Sequence, residues 1–255
     1  MKGQELHEQL LRDLHTLRLE QIVHIYKEVL DQAAKESWSF LKVLAHLIGS
    51  EATERSDRAL KSRIKRARLP KIKTLEEYDF NFPKRIPKQK VLRVFDCEFI
   101  AQHGNVVFVG NQGTGKTHLL TALGYVACQK CISVRFTRVI DMINDLTAAQ
   151  MNGTLGKALK AYTYPSVLLL DELGYLPVDK RGADLLFQVV AARYEVGSIV
   201  ITTNRTFKDW GTILDMDNTL ATALIDRLMH HGEAIVIQGA SYRMKDRNDE
   251  TDTTQ

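Results

Sequence analysis

Residues 110 to 117 read Gly110-Asn111-Gln112-Gly113-Thr114-Gly115-Lys116-Thr117, the G-x-x-x-x-G-K-[ST] spacing of a phosphate loop. A triphosphate is cradled by successive backbone N–H groups turned inward, which glycines permit. A helix N-terminus lies beneath them, and a lysine reaches the β- and γ-phosphates. The spacing therefore predicts ATP binding through this run, with Lys116 on the phosphates and the Thr117 hydroxyl on Mg²⁺. Fifty-five residues beyond Lys116, the apolar run Val167-Leu168-Leu169-Leu170 ends in Asp171-Glu172. A buried parallel strand that delivers Asp171 to Mg²⁺ at the carboxyl edge of a sheet has this form. Glu172 is then placed to align an attacking water opposite the leaving phosphate, which favours hydrolysis over simple phosphate binding. Ile199-Val200-Ile201-Thr202-Thr203-Asn204 repeats the pattern. Asn after a strand is commonly a turn residue; beside a phosphate loop and two carboxylates, Asn204 reads as a group that senses the γ-phosphate or the water.

These groups need a sheet to converge. Strand-like runs at 106–110, 132–137, 167–170, 198–203 and 234–238 alternate with helical stretches. That alternation predicts an α/β domain with a parallel five-stranded sheet covered by helices on both faces. Ahead of it, apolar residues recur at helical spacing from Leu6 to Ala33 and again from Phe40 to Ile48, and a third helix is expected from Glu51 through Arg68. The expected organisation is a small all-helical domain over 1–69, a basic linker over 70–90 that holds Pro70, Pro83 and Pro87, an ATPase domain over 91–243, and a disordered polar tail over 244–255.

The net charge of +4 is unevenly spread: residues 51 to 93 hold fourteen basic and six acidic side chains. Lys61, Arg63, Lys65, Arg66, Arg68, Lys71 and Lys73 fall within thirteen residues that contain no acid. Such density predicts contact with the phosphate backbone of duplex DNA, salt-dependent and indifferent to sequence. The competing reading is a solvated helix face that leads into the linker. Three cysteines, Cys97, Cys128 and Cys131, are too few for a disulfide framework and suit a reducing compartment. Cys128-x-x-Cys131 lacks the second pair that zinc would want. No apolar run approaches the roughly 20 residues of a membrane span, and the N-terminus has no signal-peptide pattern, so the expected location is the cytoplasm, with no membrane partner.

Arg227, in Leu224-Ile225-Asp226-Arg227-Leu228, lies on an expected amphipathic helix, and Arg243, in Ser241-Tyr242-Arg243, follows the last strand. Periodicity leaves each open between a surface ion pair or loop residue and a functional group. Together with Gly113-Thr114-Gly115-Lys116-Thr117-His118-Leu119, Asp171-Glu172-Leu173-Gly174-Tyr175, Asp209-Trp210-Gly211 and Asp226-Arg227-Leu228-Met229-His230-His231, these stretches resemble the AAA+ ATPases of the initiator group. The closest resemblance is to the IstB family of ATP-dependent helpers of bacterial insertion sequences. The resemblance implies an ATP site that includes His118, Arg227 as an arginine finger reaching the ATP of a neighbouring subunit, and Arg243 as a second nucleotide-sensing arginine. It also implies a homo-oligomer with shared sites, a transposase as partner, and a helical insertion over about 138–164 that lines a DNA path. Only 17 residues follow Gln238, too few for the usual C-terminal helical lid. A DnaC-type replicative helicase loader would carry the same ATPase motifs, and a small-molecule kinase would share the phosphate loop.

Overall fold

The structure is a computed structural model that describes residues 3–242; Arg243 and the tail 244–255 lie outside the described residues. In chain order the helices are α1 (Gly3–Thr16), α2 (Glu20–Lys35), α3 (Phe40–Ala67), α4 (Lys88–Phe95), α5 (Glu98–Ala101), α6 (Lys116–Gln129), α7 (Val139–Met151), α8 (Leu155–Thr163), α9 (Lys180–Arg193), α10 (Trp210–Ile213) and α11 (Asn218–His230). The strands are β1 (Asn105–Gly110), β2 (Val134–Arg138), β3 (Val167–Leu173), β4 (Ser198–Thr203) and β5 (Gly232–Ile237). The chain forms two compact units that divide between Ser62 and Arg63.

In the first unit, Leu14 of α1 packs on Ile22 and Tyr26 of α2, with Leu11, Leu19, Val23 and Leu47 around them. Helix α2 has no side-chain cap of its own at Leu19. Instead, the buried Glu51 of α3 accepts from Gln21 N at 2.9 Å and from Ile22 N at 3.3 Å. One carboxylate thus satisfies two of the donors that every helix start leaves open and faces the positive end of the helix dipole. The two helices expected over 40–48 and 51–68 are one continuous helix, α3. Gly49 interrupts the apolar pattern but costs only about 1 kcal/mol in a helix, and no proline is present to break it.

The second unit is built on a single sheet of order β2-β3-β4-β1-β5, with every pairing parallel. The central strands β3 and β4 are buried almost throughout, so they read as unbroken apolar runs rather than alternating ones. Alternation decides which helix each residue meets. Val107, Leu168, Leu170, Ile199 and Ile201 join one cluster with residues of α7, α9 and α11. Leu169, between two of these, points the other way against α6, where a Cβ on Gly124 would lie 2.7 Å from its Cδ1. Helices therefore cover both faces, as expected. The five strands fall within three residues of the runs marked by the sequence. Among the described residues β5 is the last element.

Arg193, the last residue of α9, is 1% exposed and, among the described residues, forms no ion pair with a carboxylate. Nη1 donates to Tyr162 O (2.9 Å) and Thr163 O (3.1 Å), and Nη2 to Ser166 O (3.1 Å) and Ser198 O (2.8 Å). Burial pulls its pKa down to about 10, still charged at neutral pH. This side chain ties the end of α8 to the starts of β3 and β4. Arg193→Met fills similar volume but strands those carbonyls, and we expect a loss of about 3 kcal/mol. That corresponds to a fall in Tm of roughly 6–12 °C for a unit of this size, read by calorimetry.

Candidate active site

Because the strands are parallel and β1 lies between β4 and β5, the segments that follow β1, β3 and β4 meet at one edge. The turn from β1 into α6 is the phosphate loop. Gly115, at the start of α6, has φ +85° and gives no side-chain cap, so the first-turn N–H groups of α6 stay open to an anion. Lys116 Nζ donates to Gly110 O and Asn111 O, both at 2.7 Å. Thr114 Oγ1 donates to Asn111 O at 2.9 Å. Asn111 and Gln112 are exposed on the rim.

The carboxylate Asp171, buried near the end of β3, accepts from Thr117 Oγ1 at 3.1 Å and from Thr202 Oγ1 at 2.5 Å, both on Oδ1. A hydroxyl and a carboxylate in contact form the hard oxygen set that Mg²⁺ favours. Thr202, on β4, also accepts from Glu172 N at 2.9 Å. That bond holds an unusual backbone: Glu172 has φ +63°, in the left-handed region, and the β3–β4 register shifts between Leu170 and Leu173. A non-glycine residue there costs on the order of 1–3 kcal/mol. The effect is to put consecutive residues to different uses, with Asp171 turned into the sheet edge and Glu172 exposed above it. Asn204 follows β4, whose Thr203 is the register partner of Val109 just before Gly110. It is half-buried, and among the described residues its side chain makes no hydrogen bond.

Thr202 carries no motif signal, since a threonine in a β-branched strand looks like strand propensity. Thr202→Val keeps that shape and removes the hydroxyl that fixes both acidic residues. We expect about a tenfold fall in kcat, the equivalent of one lost hydrogen bond of about 1.4 kcal/mol, with ATP affinity little changed; steady-state kinetics checks the split. Arg138, at the end of β2, was also silent in the sequence. It is the register partner of Asp171 and forks onto Asp141 at 2.7 and 2.9 Å. Its pKa is raised by Asp141, with smaller effects from Glu172 and Asp171.

Two other segments brace the phosphate loop and the first turn of α6. Tyr78 Oη donates to Thr114 O at 3.0 Å, its ring lies where a Cβ on Gly115 would go, and burial pushes its pKa up to about 12, so it remains a donor. His118 Nε2 lies 2.8 Å from Thr74 O. Tyr242 N donates to Gly113 O at 2.9 Å, with its ring 4.7 Å from that of Phe82. Arg85 and Gln238 exchange backbone hydrogen bonds at 2.9 Å. The proline-containing stretch 70–90 therefore lies against the nucleotide loop. Nothing in its composition marks this, because the contacts come from distant parts of the chain.

Arg227 lies apart from these groups. Its Nη1 donates to Ala223 O at 3.0 Å in its own helix, and the guanidinium sits 4.7 Å from the Phe187 ring centroid. It borders an open groove with Thr219, Thr222 and Asp226. Among the described residues it makes no hydrogen bond or ion pair to the loop, to Asp171 or to Glu172.

The basic run divides by environment. Lys61, Lys65, Arg66, Arg68 and Lys71 are exposed. Arg63 Nε donates to Cys128 O at 2.9 Å, at the end of α6, and Lys73 lies 3.7 Å from Glu77. Arg63 and Arg66 also line a groove of about 770 Å³ with Arg135, Lys160 and Tyr164, and no carboxylate is in its wall.

Known proteins are similar to this chain in sequence or in fold. The ATP-binding protein of insertion sequence IS232 from Bacillus thuringiensis subsp. berliner is 37% identical over 94% of this chain and 96% of its own. That of IS21 from Pseudomonas aeruginosa is 38% identical over 92% and 88%. Among solved structures, the DnaC helicase loader superposes with a TM-score of 0.54 at 24% identity, covering 65% of this chain and 96% of that one. AMPPCP-bound DnaA from Aquifex aeolicus gives 0.57 at 21%, covering 74% and 57%. These two show the fold alone, a parallel sheet covered by helices on both faces. The family model described as IstB-like ATP binding protein matches residues 12–250, and with relatives this similar along nearly its whole length the chain belongs to that family.

Proposed function

We propose that this chain is a Mg²⁺-dependent ATP hydrolase that serves an insertion sequence: it assembles on duplex DNA when ATP-bound, deforms the DNA, and presents it to a transposase as an insertion target. The observation that carries the hydrolase reading is the convergence of Lys116, Thr117, Asp171, Glu172 and Asn204 beside the uncapped start of α6. In this reading residues 110–118 hold ATP and Lys116 Nζ leaves its loop carbonyls for the phosphates. Glu172 aligns the attacking water, and Asn204 senses the γ-phosphate. Thr117 and Asp171 would hold Mg²⁺, which would supply positive charge to the triphosphate. The hydrogen bond from Tyr242 to the loop supports Arg243, the next residue, as a nucleotide sensor that needs no lid.

Arg227 completes the site from a neighbouring protomer, so the oligomer shares its ATP sites; its separation from its own loop supports this. The helical domain over 1–69 binds DNA backbone without sequence preference through the basic run that crosses its end, Lys61, Arg63, Lys65, Arg66, Arg68, Lys71 and Lys73, and hydrolysis resets the assembly. No helix of the described chain is long and apolar enough to cross a membrane, and we place the protein in the bacterial cytoplasm. The insertion-sequence relatives favour this reading over a helicase loader, since the likeness to DnaC is one of fold alone.

The test is analytical ultracentrifugation with duplex DNA in ATP and in ADP. Growth of a protein–DNA complex only with ATP supports the proposal; a chain that stays monomeric and ignores duplex in both nucleotides at low salt defeats it. Lys65→Glu and Arg66→Glu should weaken binding uniformly across sequences and flatten its dependence on log salt by about one unit per lost phosphate contact.

A further inference from the structure

At the opposite edge of the sheet from the phosphate loop, three ligand-type side chains meet that the ATPase reading does not use. Glu195 follows α9, His230 ends α11 and His231 comes next; the three donor atoms lie within 4.8 Å of one another. Glu195 Oε1 is 3.2 Å from His231 Nε2 and 3.9 Å from His230 Nδ1. Ligands at about 2.0–2.1 Å from a tetrahedral zinc ion stand roughly 3.3–3.5 Å apart, so the donors are already near the required spacing. We propose that Glu195, His230 and His231 form a binding site for a borderline divalent transition-metal ion of the zinc class, with a fourth position open to water.

The backbone gathers these groups. Consecutive residues on a helix point about 100° apart, yet the imidazoles of His230 and His231 lie with centroids 4.2 Å apart, because the helix ends between them. Glu195 has φ +57°, which turns its carboxylate back toward them. Asn105, at the start of β1, then fixes the spacing of the two segments. Its backbone N donates to His231 O at 3.0 Å and Nδ2 to Leu228 O at 3.2 Å, while Oδ1 accepts from Ile199 N at 2.8 Å. The Tyr194 hydroxyl lies 2.7 Å from His230 Nδ1, and a metal ion on that nitrogen's single lone pair would take the hydroxyl's place there.

Two imidazoles and one carboxylate suit zinc, cobalt or nickel and not Mg²⁺, which takes oxygen ligands. The site is therefore chemically distinct from the one at Thr117 and Asp171. A bound ion would cross-link the C-terminal ends of α9 and α11.

The test uses the full chain stripped of metal with a chelator, without ATP, in a Cys131→Ser background so that the exposed thiol cannot bind. Co²⁺ titration at pH 7.5 should give one equivalent with tetrahedral-type visible absorption. Affinity should fall at least about tenfold in Glu195→Gln and in His231→Ala. Retained ATP binding by each variant shows that it has folded. X-ray absorption of the zinc-loaded wild type gives a second readout that needs no variant: two imidazoles with oxygen ligands are expected. No binding at micromolar Co²⁺, binding unchanged by both substitutions, or sulfur in the zinc shell would overturn the assignment.

Discussion

Glu172→Gln is expected to lower ATP turnover by about 10²–10⁴-fold while ATP still binds. The amide matches the carboxylate in size and can occupy the same left-handed backbone, so the hydrogen bond from Glu172 N to Thr202 Oγ1 and the bonds to Asp171 should survive. What would be lost, on the proposed function, is the charge that orients the attacking water above the buried Asp171. The protein should therefore lodge in its ATP-bound form, and any ATP-dependent assembly on duplex should outlast that of the wild type. Single-turnover hydrolysis beside equilibrium ATP binding separates the two effects. If turnover is unchanged, Glu172 is not the base; if binding is lost as well, its role is in holding nucleotide.

Arg227→Ala should have an effect at least as large, about 10³–10⁵-fold in turnover, if it acts as a finger on a neighbour's ATP. Here the substitution should leave a protomer's own nucleotide binding intact, because the guanidinium touches Ala223 and Phe187 and none of the loop. Mixing supplies the sharper reading. Glu172→Gln and Arg227→Ala protomers should each be inactive alone, whereas a mixed assembly of the proposed kind would contain interfaces that join an intact Glu172 to an intact Arg227. Recovered hydrolysis on mixing is the outcome expected of shared sites. Absence of recovery in assemblies shown to be mixed would place the action of Arg227 within its own subunit.

The sequence disclosed the groups that speak through spacing. The phosphate loop, the apolar run that ends at Asp171, and the five strand-like runs are local patterns, and local patterns survive folding when the sheet is buried on both faces. Thr202, Tyr78 and Arg193 were silent for a common reason: each acts through atoms of segments remote in the chain, the last through four main-chain carbonyls that have no sequence identity at all. Glu172 was legible as a carboxylate but not as a left-handed residue, because its φ is imposed by the neighbouring strand. Helix α3 is continuous where two helices are expected, because the helical penalty of Gly49 is small. His230 and His231 stood in plain view, but their partner Glu195 is brought to them only by the pairing of β4 and β5 on either side of β1.

The contacts of Tyr78, Thr74 and Tyr242 with the phosphate loop bear on the entropy of ligand capture. An unbraced glycine-rich loop samples many backbone states and must give them up when a triphosphate arrives, a cost of about 1–2 kcal/mol for each residue fixed. Here hydrogen bonds to the carbonyls of Gly113 and Thr114 fix those residues during folding, when the surrounding core is formed. The loop meets ATP already shaped, and the affinity that ordering would have consumed remains for the phosphates.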